Sequence, residues 1–324
     1  MDHAGLEISD DAIRCLSYKD AGISGVASRK IKSFMAVDLP KGLLIGGDTV
    51  HMDDLRAELL KFKEKTGISY VKVSIPEEKA YLFQIDVPAV TAKYIYQNIE
   101  SKLEENVPLS VKDAVFNFDL SPLSGVNSSV AGSSIMCDGS VLRASVSVVP
   151  KSYIEKMLGL LHSVGLKPLA FEVVPRSLAR VLAPVEGDKT VIIAHVMDQK
   201  IGVYIVSSGV VDFASTVSRD VVNTSDIPRT TIEDTIAKEI TRIYGYWVSK
   251  QDATAIHEVL LVGHNAQSYE AGVRDALTSL AMNVTTPDIW KVGHNISGNL
   301  SSDVPPISRD DSSAYAVVAG LALP

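Results

Sequence analysis

The sequence is poor in cysteine, short of positive charge and without any long apolar run. Two cysteines, Cys15 and Cys137, stand far apart with no Cys-x-x-Cys, which leaves neither a disulfide framework nor a zinc knuckle and points to a reducing compartment. Lys and Arg number 31 against 39 Asp and Glu, a formal charge of −8. The one basic cluster is Arg29, Lys30 and Lys32. Such a chain offers nucleic acid no extended positive surface, so none is expected as a partner. No uncharged stretch approaches the roughly 18 apolar residues of a transmembrane helix. The opening Met1-Asp2-His3-Ala4 lacks the basic and apolar segments of a secretory leader. A soluble chain without direct membrane insertion is expected. What is present is apolar material, 46% of 324 residues, enough to build cores for two or more globular units.

Hydropathy patterning divides the chain into thirds. Residues 4–8 and 12–16 alternate around the polar run Ser9-Asp10-Asp11, a hairpin signature. A third strand at 30–39 stops at Pro40. A helix follows on Leu55, Leu59 and Phe62, with Asp53 and Asp54 early and Lys61, Lys63 and Lys65 late, which suits the helix dipole. Residues 70–76 form a strand ended by Pro76. In the middle third, strands are expected at 81–87, 113–120 and 140–148, a helix at 90–105, and a Ser-, Gly- and Asn-rich exposed loop at 121–132. Ser152 to Glu155 reads as a capping box for a helix that Gly165 closes. A strand at 169–174, a short helix at 175–182 and a linker at 184–189 come next. The last third repeats the first: strands at 190–196, 201–206 and 210–217, a capping box from Thr230 to Glu233, a helix striped by Ile232, Ile236, Ile240, Ile243 and Trp247, and a buried strand at 259–263. Helices at 266–280 and 312–323 finish the chain. Meander, helix and buried strand occur in both halves, which implies α/β architecture in two related lobes and a duplication.

Familiar chemical motifs are missing. Seven histidines are scattered without the i, i+4 spacing of a metal pair. His257 and His264 flank one strand in structural or solvent roles. No Gly-x-Ser-x-Gly nucleophile elbow, Walker phosphate loop or Gly-x-Gly-x-x-Gly turn occurs, and Gly22-Ile23-Ser24-Gly25 is one residue short of the first. Carboxylate pairs such as Asp53 with Asp54 and Glu104 with Glu105 read as solvated turns or helix starts. What remains is a pair of hairpin turns. Tight turns between antiparallel strands can surround a phosphate with backbone N–H groups, and two from opposing lobes can hold a nucleotide with magnesium between them. Glu7, Ser9, Asp10 and Asp11 line the first turn; His195, Met197, Asp198 and Lys200, mostly bulky, line the second. Two ordinary hairpins would look the same.

Gly5-Leu6-Glu7-Ile8-Ser9, followed by Ile13-Arg14, resembles the opening phosphate turn of actin-like ATPases. Among these the chain is most similar to PilM proteins, the FtsA-related cytoplasmic components of type IV pilus assembly platforms. The resemblance runs nearly end to end through Val73-Ser74-Ile75-Pro76, Asn106-Val107-Pro108, Val164-Gly165-Leu166, Phe171-Glu172-Val173-Val174, Ile240 to Tyr246, Val259 to Gly263, and the closing Tyr315-Ala316-Val317-Val318-Ala319-Gly320-Leu321-Ala322-Leu323. It implies an actin-like fold with residues 1–81 plus 169–186 as the first lobe, an inserted α/β subdomain at 82–168, and a second lobe at 187–324 with a reduced outer subdomain.

The departures fall on the nucleotide motifs. The usual acid is Glu7, the usual glycine Ser9 and the basic position Arg14, whereas the second turn reads His195-Val196-Met197-Asp198, where relatives carry Asp-Ile-Gly. An imidazole cannot replace a carboxylate that orients magnesium-bound water, and Met197 would crowd the phosphate path. Ser218-Arg219-Asp220 and Gly263-His264-Asn265 stand where glycine pairs are usual, and only about forty residues separate Val217 from His257. The degenerate nucleotide site implied by the resemblance comprises Glu7, Ser9, Asp10, Asp11, Arg14, Asp198 and Gly263, for ATP with magnesium if any cofactor at all. No catalytic or metal residue is assigned. The implied function is a scaffold rather than an enzyme, gripping the N-terminal tail of a PilN-type inner-membrane protein in a groove between the insert and the first lobe. That partner would place the chain at the inner face of the cytoplasmic membrane. A pilus motor ATPase and self-association are further partner expectations. An ATP-driven switch and an FtsA-like division anchor are the alternatives.

Overall fold

The computed structural model describes residues 3–18, 31–122, 141–183, 189–218, 231–250, 254–290 and 309–323. The chain opens with an antiparallel meander of β1 (Ala4–Ile8), β2 (Ala12–Tyr18) and β3 (Ile31–Asp38). A small hairpin of β4 (Leu44–Ile45) and β5 (Asp48–Thr49) leads into α1 (Met52–Thr66), whose Leu55, Leu59 and Phe62 are buried and which Gly67 ends in the left-handed conformation. β6 (Tyr70–Ile75) then pairs parallel to β1. A one-turn 3₁₀ helix, Glu77–Lys79, precedes the middle unit: β7 (Tyr81–Pro88), α2 (Ala92–Asn106), β8 (Ala114–Pro122) and β9 (Val141–Pro150). Its strands form an antiparallel sheet in the order β7-β9-β8. One face is covered by Ile95, Ile99 and Leu103 of α2 packed on Ala144, Val146 and Val148.

The chain returns through α3 (Lys151–Ser163) to β10 (Lys167–Val173), which pairs parallel to β6, and continues into α4 (Val174–Leu182). The second half contains β11 (Thr190–Val196), β12 (Lys200–Ser207), β13 (Val210–Ser218), α5 (Ile232–Val248), β14 (Ile256–Gly263), α6 (Ala266–Ala276), β15 (Asn283–Thr285), α7 (Arg309–Ser312) and α8 (Ala316–Ala322). The two large sheets have the orders β10-β6-β1-β2-β3 and β13-β12-β11-β14-β15. Read from the end of each meander, these are the same order with the same parallel and antiparallel pairings, as the repeated sequence texture leads one to expect.

Three cores explain the assembly. The first sheet buries Leu6, Val71 and Val73 against α1 and against Met157, Leu160 and Leu161 of α3. The second buries Ile192, Ile205 and Leu261 against α5 and α6. Between the sheets lie α4 and α8, where Leu178, Leu182, Val318 and Leu321 meet Leu16, Ile193 and Tyr204. The small residues of α8 permit this close approach: a Cβ on Gly320 would strike the Ser177 carbonyl, and one on Gly5 the Val318 carbonyl. Because α3 packs into the core of the first sheet, we place the return from the insert near Pro150 rather than 168.

Some local expectations shift. The box expected at 230–233 forms one residue later: Thr231 Oγ1 accepts from Asp234 N at 3.1 Å and Asp234 Oδ2 from Thr231 N at 3.3 Å. The Ser152 box does not form, because α3 starts at Lys151 and Pro150, with its φ of −58°, already sets the helix start. The helix expected at 266–280 tightens into a 3₁₀ turn over Thr278–Leu280. The last helix is broken at Ser313, whose hydroxyl donates to the Gly263 carbonyl at 2.9 Å. Residues 22–25, 123–140, 184–188 and 219–220 lie outside the described residues, and with them most of the expected loop at 121–132, most of the linker, and Cys137. Cys15 is buried, which pushes its thiol up to about 12.

Candidate functional site

Three chain reversals meet between the lobes: the β1–β2 turn, the β11–β12 turn and the end of β14. In the first, Ser9 N donates to Ala12 O at 3.0 Å and closes the hairpin. The hairpin register puts Glu7 directly opposite Arg14, so the two side chains share the face turned toward α8 and the second sheet. Arg14 Nη1 lies 3.8 Å from Glu7 Oε2, and Arg14 Nη2 donates to Asp11 Oδ2 at 2.7 Å. The Ser9 hydroxyl completes the cluster, 2.6 Å from Asp11 Oδ1. Burial raises the Glu7 pKa against the pull of Arg14 and His195. At Asp11 burial acts the same way, but Arg14 and Ser9 outweigh it and hold the carboxylate below its ordinary range. Asp10 points elsewhere and accepts from Gly47 N at 3.3 Å, which ties the turn to the β4–β5 hairpin.

The second turn is closed by Met197 N donating to Lys200 O at 3.0 Å. Its Asp198 is exposed at the tip, away from the meeting point. His195 is buried, with Nδ1 4.0 Å from Glu77 Oε1 and beyond hydrogen-bond reach. Glu77, itself buried, accepts a hydrogen bond from Tyr204 on β12, and its neighbour Glu78 pairs with Lys200. Burial works to raise the Glu77 pKa, but His195, Lys200 and Tyr204 together hold it below the usual range. Burial and Glu77 push the Tyr204 hydroxyl up, so the proton stays on the phenol. Two successive acids after β6 therefore bind the first lobe to β12 of the second. Glu77, Glu78 and Tyr204 were missed by sequence reasoning. Their one available signal was a pair of acids directly after a strand that Pro76 ends.

At the third reversal Gly263 takes φ +104°, and a Cβ there would strike the Val196 carbonyl. That carbonyl accepts from His264 N at 2.8 Å. Of the residues expected at a nucleotide site, Glu7, Ser9, Asp11, Arg14 and Gly263 are brought together, joined by His195, Met197 and His264. Asp10 and Asp198 are not among them. The crevice they line has a volume of about 10 Å³, no more than a single water needs.

The resemblance implies a nucleotide with its metal between these turns, and the residues present do not fit that group. Asp11 is committed to Arg14, Glu7 lies 3.8 Å from the same guanidinium, and Met197 and His195 line the remaining space. Among the described residues no group of three or more His, Cys, Asp or Glu is arranged to hold a metal ion, and no helix is long and apolar enough to cross a membrane.

A different opening lies under the insert. The face of its sheet opposite α2 turns toward the body and is pinned there by Arg176 of α4, which donates to Asp119 Oδ1 at 2.6 Å, and by Ser145, which donates to Val211 O at 2.5 Å. Between β8 and β10 this leaves a groove of about 210 Å³. Both strands are sheet edges. Ile75, Val149 and Val173 form its buried floor, flanked by Ile154 and Phe171. Val115 on the rim is 45% exposed. Glu172 in the wall is held by Arg180 at 2.5 and 2.7 Å.

No protein-family model and no curated protein matches the sequence. Solved structures do match the fold. The PilM–PilN type IV pilus biogenesis complex aligns with a TM-score of 0.76 at 16% identity, covering 99% of this chain and 98% of that chain. The ethanolamine utilization protein EutJ of Carboxydothermus hydrogenoformans aligns with a TM-score of 0.50 at 9% identity, covering 99% of this chain and 89% of that one. The duplicated sheets, the helices between them and this end-to-end alignment identify the fold as actin-like with an inserted subdomain.

Proposed function

We propose that the chain is a PilM-like scaffold of a type IV pilus assembly platform, which grips the N-terminal tail of a PilN-type membrane protein and is held through it at the inner face of the cytoplasmic membrane. The observation that carries this reading is the groove between β8 and β10, open and apolar-floored where the crevice between the turns is filled. Two strand edges that pair with no further strand among the described residues suit an extended peptide, because main-chain hydrogen bonds can add it as a strand while alternate side chains enter apolar pockets. The alignment over the whole chain with a PilM that was solved with PilN supports the same reading. In this role nucleotide does no chemistry. The Glu77 cluster holds the lobes together instead, and the insert, pinned to both lobes, keeps the groove formed.

The test is retention of the pure chain on an immobilised PilN-type tail peptide, with the Val115→Asp variant as control. Retention that the variant loses supports the reading. No retention, or equal retention of the variant, contradicts it.

A further inference from the structure

A cleft of about 610 Å³ lies on the other side of the insert, between β7 and β13. Its walls are unusual in one respect. Five successive residues of β7, 82–86, and four of β13, 211–214, border it. Successive side chains of a strand point to opposite faces, so a cavity that touches them all abuts the edge of the strand and its main chain. Among the described residues both strands are the outer edges of their sheets, and each turns main-chain N–H and C=O groups toward the cleft that pair with no further strand. On β13 the Val211 carbonyl already accepts from Ser145, which leaves the stretch after it open. Gln84 Nε2 donates to Asp212 Oδ1 at 2.6 Å and bridges the two edges at one point.

Beside β13 lies a shelf from α5. Tyr246, 47% exposed, packs on Phe213 with ring centroids 5.1 Å apart. The Lys250 ammonium stands 5.1 Å from the ring centroids of both Tyr246 and Trp247 and in no ion pair among the described residues. By contrast, the other cation of the cleft, Arg143, is paired with Asp86 at 3.2 Å. Lys250 is therefore a cation already ordered by aromatic rings and still able to take an anionic partner.

We propose that this cleft is a second docking site, which takes an extended segment of a partner protein by strand addition to the free edge of β13, with an apolar side chain on the Phe213–Tyr246 shelf and an acidic side chain on Lys250. The main chain of a polypeptide carries alternating donors and acceptors at the spacing the edge requires, which gives affinity. Lys250 gives sign selectivity. The site is separate from the groove between β8 and β10 and does not depend on what that groove binds.

The test uses ten-residue peptides of alternating Val and Thr, each with one Glu or one Lys walked along its length. Their binding to the full chain is followed by fluorescence anisotropy, and backbone protection by hydrogen exchange. The expected result is that the best Glu peptide binds at least about tenfold more tightly than its Lys counterpart and slows exchange across residues 210–218. Lys250→Gln should abolish that preference, and Lys250→Glu should reverse it. Both substitutions sit on a partly exposed side chain, and an unchanged melting temperature verifies that the fold survives. The proposal is overturned by peptides that leave β13 unprotected, by protection confined to β8 and β10, by a preference that survives in Lys250→Glu, or by acetate competing as well as the peptide does.

Discussion

The crevice between the hairpin turns and the groove under the insert are walled by the same two-lobed body, yet they have been treated in opposite ways. The first, about 10 Å³, is lined by charge that is internally paired, Arg14 with Asp11 and Glu7, and beyond its lining Glu77 meets Tyr204 and Glu78 meets Lys200. The second, about 210 Å³, has an apolar floor between two strand edges. A buried charged cluster so committed has nothing left to offer a ligand, whereas an unpaired edge has a full row of donors and acceptors. On the proposed function, the turns that would face a nucleotide serve as structural glue while the inserted unit carries the recognition surface.

The largest expected effect strikes the glue. Glu77→Ala leaves the buried Tyr204 hydroxyl without its acceptor and removes a buried carboxylate from the field of Lys200, and a loss of one partner from a buried charged cluster costs about 3–5 kcal/mol. Urea denaturation should show it. A loss below about 1 kcal/mol, the range of exposed ion pairs, would mean that the lobes are held by apolar packing of α4 and α8 alone. Next comes Gly263→Ala, which must carry a side chain at φ +104° against the Val196 carbonyl. It should lower stability by about 1–3 kcal/mol, and equal stability would show that the β14 end is free to move away from the second turn. On the groove side, Val115→Asp should weaken the tail peptide about tenfold, some 1.4 kcal/mol, with no change in melting temperature.

The smallest effect is one of pH, and its sign separates two acids of the same cluster. Glu77 titrates below its ordinary value of 4.5 in the folded chain, so its contribution is present above that value and is lost as pH falls through the folded pKa. Glu7 titrates above 4.5, so its contribution is present below 4.5 and is lost as pH rises through the folded pKa. Relative to wild type, Glu7→Gln should therefore gain stability as pH rises from 4.5 through the folded Glu7 pKa, and Glu77→Gln should lose stability as pH rises from the folded Glu77 pKa up to 4.5, with no further change above it. Parallel pH profiles for the two variants would contradict the account of the cluster.

Most of the fold was legible in the sequence because its signals are local. Alternation over short runs, the stripe from Ile236 to Trp247 and the repeated meander located nearly every element, since patterning follows the face that each element buries. The positions of Glu7, Arg14 and Gly263 at one meeting point were legible too, because a hairpin register and a strand-end glycine are local facts. The Glu77–Tyr204–His195 contact was not. It joins residues far apart in the chain, and nothing in the surroundings of Glu77 tells which lobe its carboxylate will face. Asp198 failed for the opposite reason: it has the right chemistry for a turn that binds magnesium, but sits at the tip, where hairpin acids are ordinarily solvated. The groove edges were also hidden, because which strand ends up outermost depends on the pairing order β7-β9-β8 rather than on any property of β8 itself.

Recognition in the groove should need no nucleotide. Isothermal titration of a PilN-type tail peptide into the full chain, with and without Mg-ATP, tests it most directly. The account predicts saturable one-to-one binding, with the same affinity in both conditions. Absence of binding, or binding that appears only with Mg-ATP, would contradict it.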